Sequence, residues 1–326
     1  MTNLLLNNNK NKVLNTFEEL TESPINRVKG IHSPIRWFGG KYYLAKDLIS
    51  LMPKHHCYVE PFGGGGHVLT QKEPSKVEVY NDIDRNLVNF LLTLRSSKEE
   101  LLTSLKSLHT AREIYDKFSS EPLPKDPFER AVRWYYLLRH RLIPNNSELK
   151  SGFRSGKEKS VAEDFQNSVV RLEQFEKRLR TVNIELLDYK ECIRRYDSEK
   201  TFFLIDPPYV GRESMYQGGW TEQTHRELAA LLRTIKGKAL VTYYPDPLIS
   251  EIYAGWRRQE KEAYVGTVAK EEGHKKKKET ELFLMNYDKD HNKIKLEQEI
   301  SLRLEKEFTL FDFSFEEEQL SFSLLS

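Results

Sequence analysis

Residues 202 to 211 read FFLIDPPYVG. Four apolar side chains run straight into Asp206, Pro207, Pro208 and Tyr209, a combination able to handle an amine. Proline has no N–H to give to a strand ladder, so the strand is expected to stop at Asp206. The proline carbonyls stay free to accept. One carboxylate oxygen and a neighbouring main-chain carbonyl can then grip both hydrogens of an exocyclic amine and localise its lone pair toward an electrophile. Tyr209 adds a flat face on which a base can stack. Taken singly, the same four residues would also suit a rigid strand-to-loop turn with a surface tyrosine.

A second group lies nearer the start of the chain. CYVEPFGGGGHVL, residues 57–69, reads as a short strand, a glycine turn and the beginning of a helix. Glycines there let backbone N–H groups approach a ligand with no β-carbon in the way. The turn lacks the GK[ST] ending of a P-loop and does not spell the dinucleotide fingerprint. Asp82 closes the next strand, in KVEVYNDIDRNLVNFL. An acid at that place can accept hydrogen bonds from ribose hydroxyls at the carboxyl edge of a parallel sheet. Asp84, two residues on, suits helix capping.

A third group is basic and aromatic. Arg130, Arg133, Arg139 and Arg141 crowd a helical stretch that also carries Trp134, Tyr135 and Tyr136; Lys150, Arg154, Lys157 and Lys159 follow in the loop IPNNSELKSGFRSGKEKS. Such interleaving suits phosphate contacts together with base-edge or stacking contacts. Its plain alternative is a solvated basic helix whose aromatics, Tyr135 first, serve a local core. The run Lys275 to Lys278 reads either as a loop tip near a nucleic-acid backbone or as solvated charge.

These groups need elements to hold them. The spacing of Leu44, Leu48 and Leu51 predicts a helix over 41–51, with Pro53 beyond its end. VNIELLDY, TFFLIDPPY, KALVTYY and ETELFLMNY read as strands, with a helix over 224–234 between the second and the third of them. Alternation of this kind implies an α/β fold with a largely parallel sheet covered on both faces. Residues 94–181 read instead as a helical insertion. Ser97 with Glu100 suggests a capping box for one of its helices, Asp126-Pro127 a start for another, and Ser160 with Glu163 a cap for a third. That third helix carries Phe165, Val169, Leu172, Phe175 and Leu179 on one face. Residues 1–30 read as a polar, loosely ordered leader, 31–93 with 182–287 as one catalytic domain, and 288–326 as a charged C-terminal extension.

Bulk composition narrows the classes. Lysine and arginine number 51 against 49 acids, for a formal charge of +2, so only the placement of charge can argue for nucleic acid. Two distant cysteines, Cys57 and Cys192, fit neither a disulfide framework nor a cysteine zinc site. No apolar run reaches the ~18 residues of a membrane span. The apolar stretch near Met1 is too short for a signal peptide.

In their order, these motifs resemble the Dam-like group of N6-adenine-specific DNA methyltransferases. The resemblance covers about Ile31 to Tyr287 and rests on PIRWFGGKYYLA, YVEPFGGGGHVL, NDIDRNL, LLDY, FFLIDPPYVG with HRELAALL, and ETELFLMNY. It implies a Rossmann-like sheet with a helical DNA-recognition insertion, and S-adenosylmethionine as methyl donor. By position, Trp37, Gly40 and Lys41 would lie along the donor's methionine end, and Glu60, Pro61, Phe62 and Gly63 would form the turn around it. Asp82 would take the ribose hydroxyls, Ile83 would pack on the adenine, and Asp188 would accept from the adenine amine with Tyr189 beside it. Asp206, Pro207, Pro208 and Tyr209 would be catalytic, with Asp206 also near the donor. Arg133, Arg139, Arg141, Lys150, Arg154 and Lys157 would contact DNA.

The family implies double-stranded DNA as substrate, a flipped adenine, no metal, and a monomer acting in the cytoplasm of a prokaryote or phage host. A restriction endonuclease acting independently would be a cognate companion. Aspartate at the head of the motif favours adenine over N4-cytosine. An RNA or protein methyltransferase would leave the basic insertion without a role, and a non-catalytic DNA-binding regulator would leave the retained acids without one. The hairpin residues of the group are not evident in SELKSGFRSGKEKS, so its GATC target is not carried over.

Overall fold

The computed structural model describes residues 30–143, 151–264 and 278–288. The leader up to residue 29, Lys150, Lys275 to Lys277 and the extension from residue 289 lie outside the described residues.

The first helix, α1, spans Ala45–Leu51 and buries Ala45, Leu48 and Leu51. It begins later than the leucine spacing predicts. Gly39 takes φ 71° and Leu44 N bonds back to Lys41 O at 3.2 Å, so residues 41–44 form a tight turn that draws the Lys41 side chain inward. β1 (Cys57–Glu60) leads through the glycine turn into α2 (His67–Gln71), and β2 (Val77–Asn81) leads into α3 (Arg85–Ser96). Asp84 caps α3 by accepting from Asn86 N and Leu87 N. Next come α4 (Lys98–Ser107), α5 (Arg112–Ser120), α6 (Pro127–His140) and α7 (Val161–Leu179). Asp126 and Ser160 cap α6 and α7, accepting from Glu129 N and Glu163 N, whereas the Ser97 side chain makes no cap bond to α4.

The chain returns to the sheet with β3 (Asn183–Glu185), followed by α8 (Tyr189–Tyr196) and β4 (Thr201–Ile205). A 3-10 turn at Glu213–Met215 and α9 (Glu222–Leu232) precede β5 (Lys238–Tyr243), and α10 (Pro247–Ile252) precedes β6 (Arg257–Tyr264) and β7 (Lys278–Met285). The 7-stranded sheet has the order β3-β2-β1-β4-β5-β7-β6. The first five of these neighbours run parallel, β7 runs antiparallel to β5, and β6 pairs antiparallel with β7.

Period-2 alternation divides the strand residues between two cores. Tyr58, Tyr80, Phe202, Leu204, Leu240 and Phe283 face the side covered by α1, α3, α6 and α7. Val59, Val79, Phe203, Ile205, Val241 and Leu284 face α8, α9 and α10. The insertion's helices are therefore continuous with one face of the sheet: Phe90, Tyr135 and Phe165 share a cluster with Tyr58 and Phe202. Among the described residues no helix is long and apolar enough to cross a membrane.

Candidate active site

Strand order reverses between β1 and β4, because β2 lies on one side of β1 and β5 on the far side of β4. At such a switch point the loops after the two strands diverge and leave a crevice at their carboxyl ends. The glycine turn, Asp82 and Asp206 all meet there.

Close packing explains the glycine turn. A β-carbon on Gly63 would stand 2.2 Å from Tyr80 Cε2, and one on Gly64 would stand 2.5 Å from Trp37 Cδ1. Gly64 also takes φ +48°, strained for a side-chain-bearing residue. Tyr80 OH donates to Gly64 O at 2.6 Å, and Asp82 Oδ2 accepts from Gly64 N at 2.8 Å. Asp82 Oδ1 accepts from Asp84 N at 2.9 Å. Burial, with Asp84 close by, pushes the Asp82 carboxyl up to about 6 against these backbone bonds. Glu60, beneath the turn, accepts from Tyr58 OH at 2.6 Å and Leu69 N at 2.9 Å, and burial pushes it up to about 7.

Asp206 follows directly on β4, which ends at Ile205, one residue before the end that the proline pair predicts. Its Oδ1 accepts from Thr242 Oγ1 at 2.6 Å and pairs with Lys41 Nζ at 2.7 Å. Lys41 Nζ further donates to Gly39 O at 2.8 Å and stands 3.4 Å from Glu281 Oε1. Burial alone would lower the Lys41 pKa, but Asp206 and Glu281 outweigh it and hold the ammonium charged, well above its ordinary value.

Trp37, Gly40, Lys41, Glu60, Pro61, Phe62, Gly63, Asp82, Ile83, Asp188, Tyr189, Asp206 and Pro208 line this one cleft. Asp188 doubles as the N-cap of α8, accepting from Lys190 N at 2.8 Å. Pro207 is buried and does not line the cleft. Tyr209 is 6% exposed, stands edge-on to Tyr244, and gives its hydroxyl to Glu281. A buried phenol needs an acceptor, and Glu281 supplies it.

Sequence reasoning missed several neighbours. Asn81 binds Pro61 O at 2.9 Å, Leu187 O at 3.1 Å and Leu187 N at 2.8 Å, tying together the loops after β1, β2 and β3. A buried amide preceding the strand-end acid was its signal. His67 covers Gly40 and Gly65, and burial pushes its pKa down to about 4, so the imidazole is neutral at physiological pH. Trp220 packs at 5.5 Å from Phe62 and 5.4 Å from Tyr189, completing a three-ring wall. No local pattern announces it.

The basic insertion divides. Arg139, expected to face DNA, is 4% exposed; it donates to Pro34 O at 2.9 Å and pairs with Asp164 at 2.8 Å. Ala131, Tyr135 and Arg139 recur four residues apart, which places all three on the buried face of α6. Trp134, Tyr135 and Tyr136 are likewise core. Arg133 is bound locally, to Glu121 at 3.0 Å and Pro122 O at 3.0 Å. Arg154 pairs with Asp164, Arg141 is half-buried, and Lys157 is exposed.

The model of the D12 class N6 adenine-specific DNA methyltransferases matches residues 37–268. The DNA adenine methylase of Escherichia coli (strain K12) is 32% identical over 111 residues, which are 32% of this chain and 40% of that protein. The modification methylase StsI of Streptococcus sanguinis is 24% identical over 233 residues, 64% of this chain and 33% of that protein. The DNA N-6-adenine-methyltransferase of Escherichia phage P1 is 32% identical over 71 residues, 22% of this chain and 9% of that protein. The chain thus spans two fifths or less of the length of these relatives.

Proposed function

Because the chain belongs to the D12 class of N6 adenine-specific DNA methyltransferases, we propose that it transfers a methyl group from S-adenosylmethionine to the N6 amine of an adenine flipped out of duplex DNA. The observation that carries this reading is the Asp206 carboxylate, which opens onto the same crevice as the glycine turn and Asp82.

The residues present fit the donor. Gly63 and Gly64 lie where a β-carbon would fill the turn. Ile83 leaves 48% of its surface exposed in the cleft, an apolar plate for a ring, and the Tyr189 hydroxyl is buried with no hydrogen-bond partner among the described residues. The Asp82 carboxylate takes backbone hydrogen bonds from Gly64 and Asp84, with Ile83 a further backbone donor, and of its roughly four acceptor positions this leaves capacity for a ribose hydroxyl. Asp188 would accept from the adenine amine, with Phe62, Tyr189 and Trp220 around the ring. When bound, S-adenosylmethionine supplies a methyl group activated by a positively charged sulfur.

The chain's own part is positional and electrostatic. Thr242 and Lys41 hold Asp206 by Oδ1, so its other oxygen meets the exocyclic amine. That bond, with one to a neighbouring carbonyl, turns the nitrogen lone pair away from the base ring. As the nitrogen takes the methyl, Asp206 lies within reach of the proton the amine must lose. Extruding the base costs a few kcal/mol, offset by contacts that the insertion makes to the backbone. Among the described residues, half-buried Arg133, Arg141 and Arg154 and exposed Lys157 are the proposed DNA contacts that remain near the surface.

The relative named a modification methylase supports a place beside a restriction endonuclease that acts separately. We take the active form to be a monomer working on DNA in the cytoplasm. The test is transfer of labelled methyl to duplex DNA with the modified nucleoside identified by mass spectrometry. N6-methyladenine is expected. N4-methylcytosine, or label only in RNA or protein, would overturn the reading.

A further inference from the structure

Glu281 is an unused acid at the edge of this site. It sits on β7, outside the parallel part of the sheet, and is 3% exposed. Leu282 pairs with Tyr243 of β5, which brings Glu281 alongside Tyr244 and within reach of the loop after β4. A buried carboxylate persists only where donors repay its lost hydration. Its donors are the Tyr209 hydroxyl and the Lys41 ammonium. Lys41 in turn stands 4.8 Å from the centre of the Tyr209 ring. Two carboxylates, Asp206 and Glu281, therefore share one ammonium, at 2.7 and 3.4 Å.

That sharing matters for the reaction proposed above, on which this inference rests. An amine donating to the other Asp206 oxygen draws on the same carboxylate charge that Lys41 holds through Oδ1. If Lys41 had no other anion, it would bind Asp206 with its whole charge and oppose entry. We propose that Glu281 is a positioning residue: it takes part of the Lys41 ammonium and pins Tyr209, so that Asp206 remains able to accept from the target amine. The second anchor already lies beside the ammonium, so the shift toward it requires no rearrangement of backbone.

Other groups facing Glu281 do not supply this role. Lys261, opposite it on β6, is paired with Asp47, and Glu279 is held by Arg212 at 2.9 Å. Tyr244 stands beside it as a neutral phenol, raised by burial and by Glu281 itself to about 12. Burial raises the Glu281 carboxyl above its ordinary range despite Lys41 and Tyr209. A rate that needs ionised Glu281 is consequently lost as pH falls through that raised value.

The experiment compares the full-length wild type with Glu281→Gln in single-turnover methylation of duplex DNA from about pH 5 to 9. The expected result is a rate at least about 10-fold lower, as for a small misplacement of reacting groups. Affinity for S-adenosylmethionine should stay within about 2-fold, since the loss is confined to the transfer step. The acid limb of the profile should move to lower pH, because one titrating group has been removed. Tyr209→Phe keeps the Glu281 charge, so it should lower the rate less and leave the acid limb in place. A Glu281→Gln protein with wild-type rate and profile would overturn the proposal. So would a slower one with an unmoved acid limb, or one that loses cofactor affinity and melting temperature together with rate, as a purely structural residue would. A wild type inactive on DNA would refute the parent reading instead, and is seen before any variant is compared.

Discussion

Asp82 and Asp206 lie on either side of β1, and their partners assign them different work. Asp82 spends its carboxylate on the glycine turn and is pushed up to about 6 by burial. A raised carboxyl means that protonation favours the cofactor-free fold as pH falls through about 6, while the ionised form is the one proposed to accept ribose hydroxyls. S-Adenosylmethionine affinity is therefore expected to fall below about pH 6 in calorimetric titrations. Asp82→Asn should weaken binding at neutral pH by about 1.5–3 kcal/mol, the worth of a charged hydrogen bond, and flatten that dependence. Asp206 predicts the converse pattern. Asp206→Ala should bring methyl transfer close to background with cofactor affinity retained, and Asp206→Asn, which keeps one acceptor, should reduce turnover without abolishing it. Radiolabel transfer alongside the same titration separates the two. The acids and glycines of this site were legible because each is the residue type its chemistry demands. Glu281 and Trp220 were not, since they reach the cleft from distant segments and match no local pattern.

Elements set how much substitution the site tolerates. In Gly63→Ala the new methyl would meet the Tyr80 ring and displace the phenol from Gly64 O, an overpacking cost of about 1–3 kcal/mol. A lower melting temperature and loss of cofactor binding are the expected readouts. In the insertion, Arg139→Ala should lower thermal stability by about 2 kcal/mol, because it leaves a partly buried Asp164 with one partner fewer. Lys157→Ala should leave stability unchanged and reduce the salt dependence of DNA binding by about one unit of slope. DNA binding titrated at several salt concentrations checks both. The caps at Asp84, Asp126 and Ser160 were readable, because an N-cap needs only a short polar side chain before an apolar period. The fate of Arg139 was not read, since a count of basic residues ignores which face of a helix each occupies. β6 was missed for a related reason: its sequence, RRQEKEAY, is that of a charged edge strand and lacks an apolar face.

At the level of the whole molecule, one sheet serves both halves, with the residues proposed to hold the methyl donor gathered after β1, β2 and β3 and those proposed to handle the amine after β4. Ligand at one hundred times its dissociation constant should stabilise the folded protein by about 2.7 kcal/mol, and melting curves at rising S-adenosylmethionine concentration would register it. Arg178 of α7 fastens the insertion to this sheet, binding Glu78 of β2 at 2.6 and 2.8 Å and Leu69 O at 2.8 Å. The route of the chain through the sheet has a further consequence, for its birth on the ribosome. β1 finds its partner β4 by pairing Cys57, Tyr58 and Val59 with Thr201, Phe202 and Phe203, after all the insertion's helices have been made. At ~5–20 residues per second the exposed edge of β1 waits several seconds or more for its neighbour, while α3 to α7 can gather locally. A nascent chain stalled before Thr201 should thus carry a protease-resistant helical block beside a still-cleavable β1, and gain cofactor-dependent protection only once β4 has emerged.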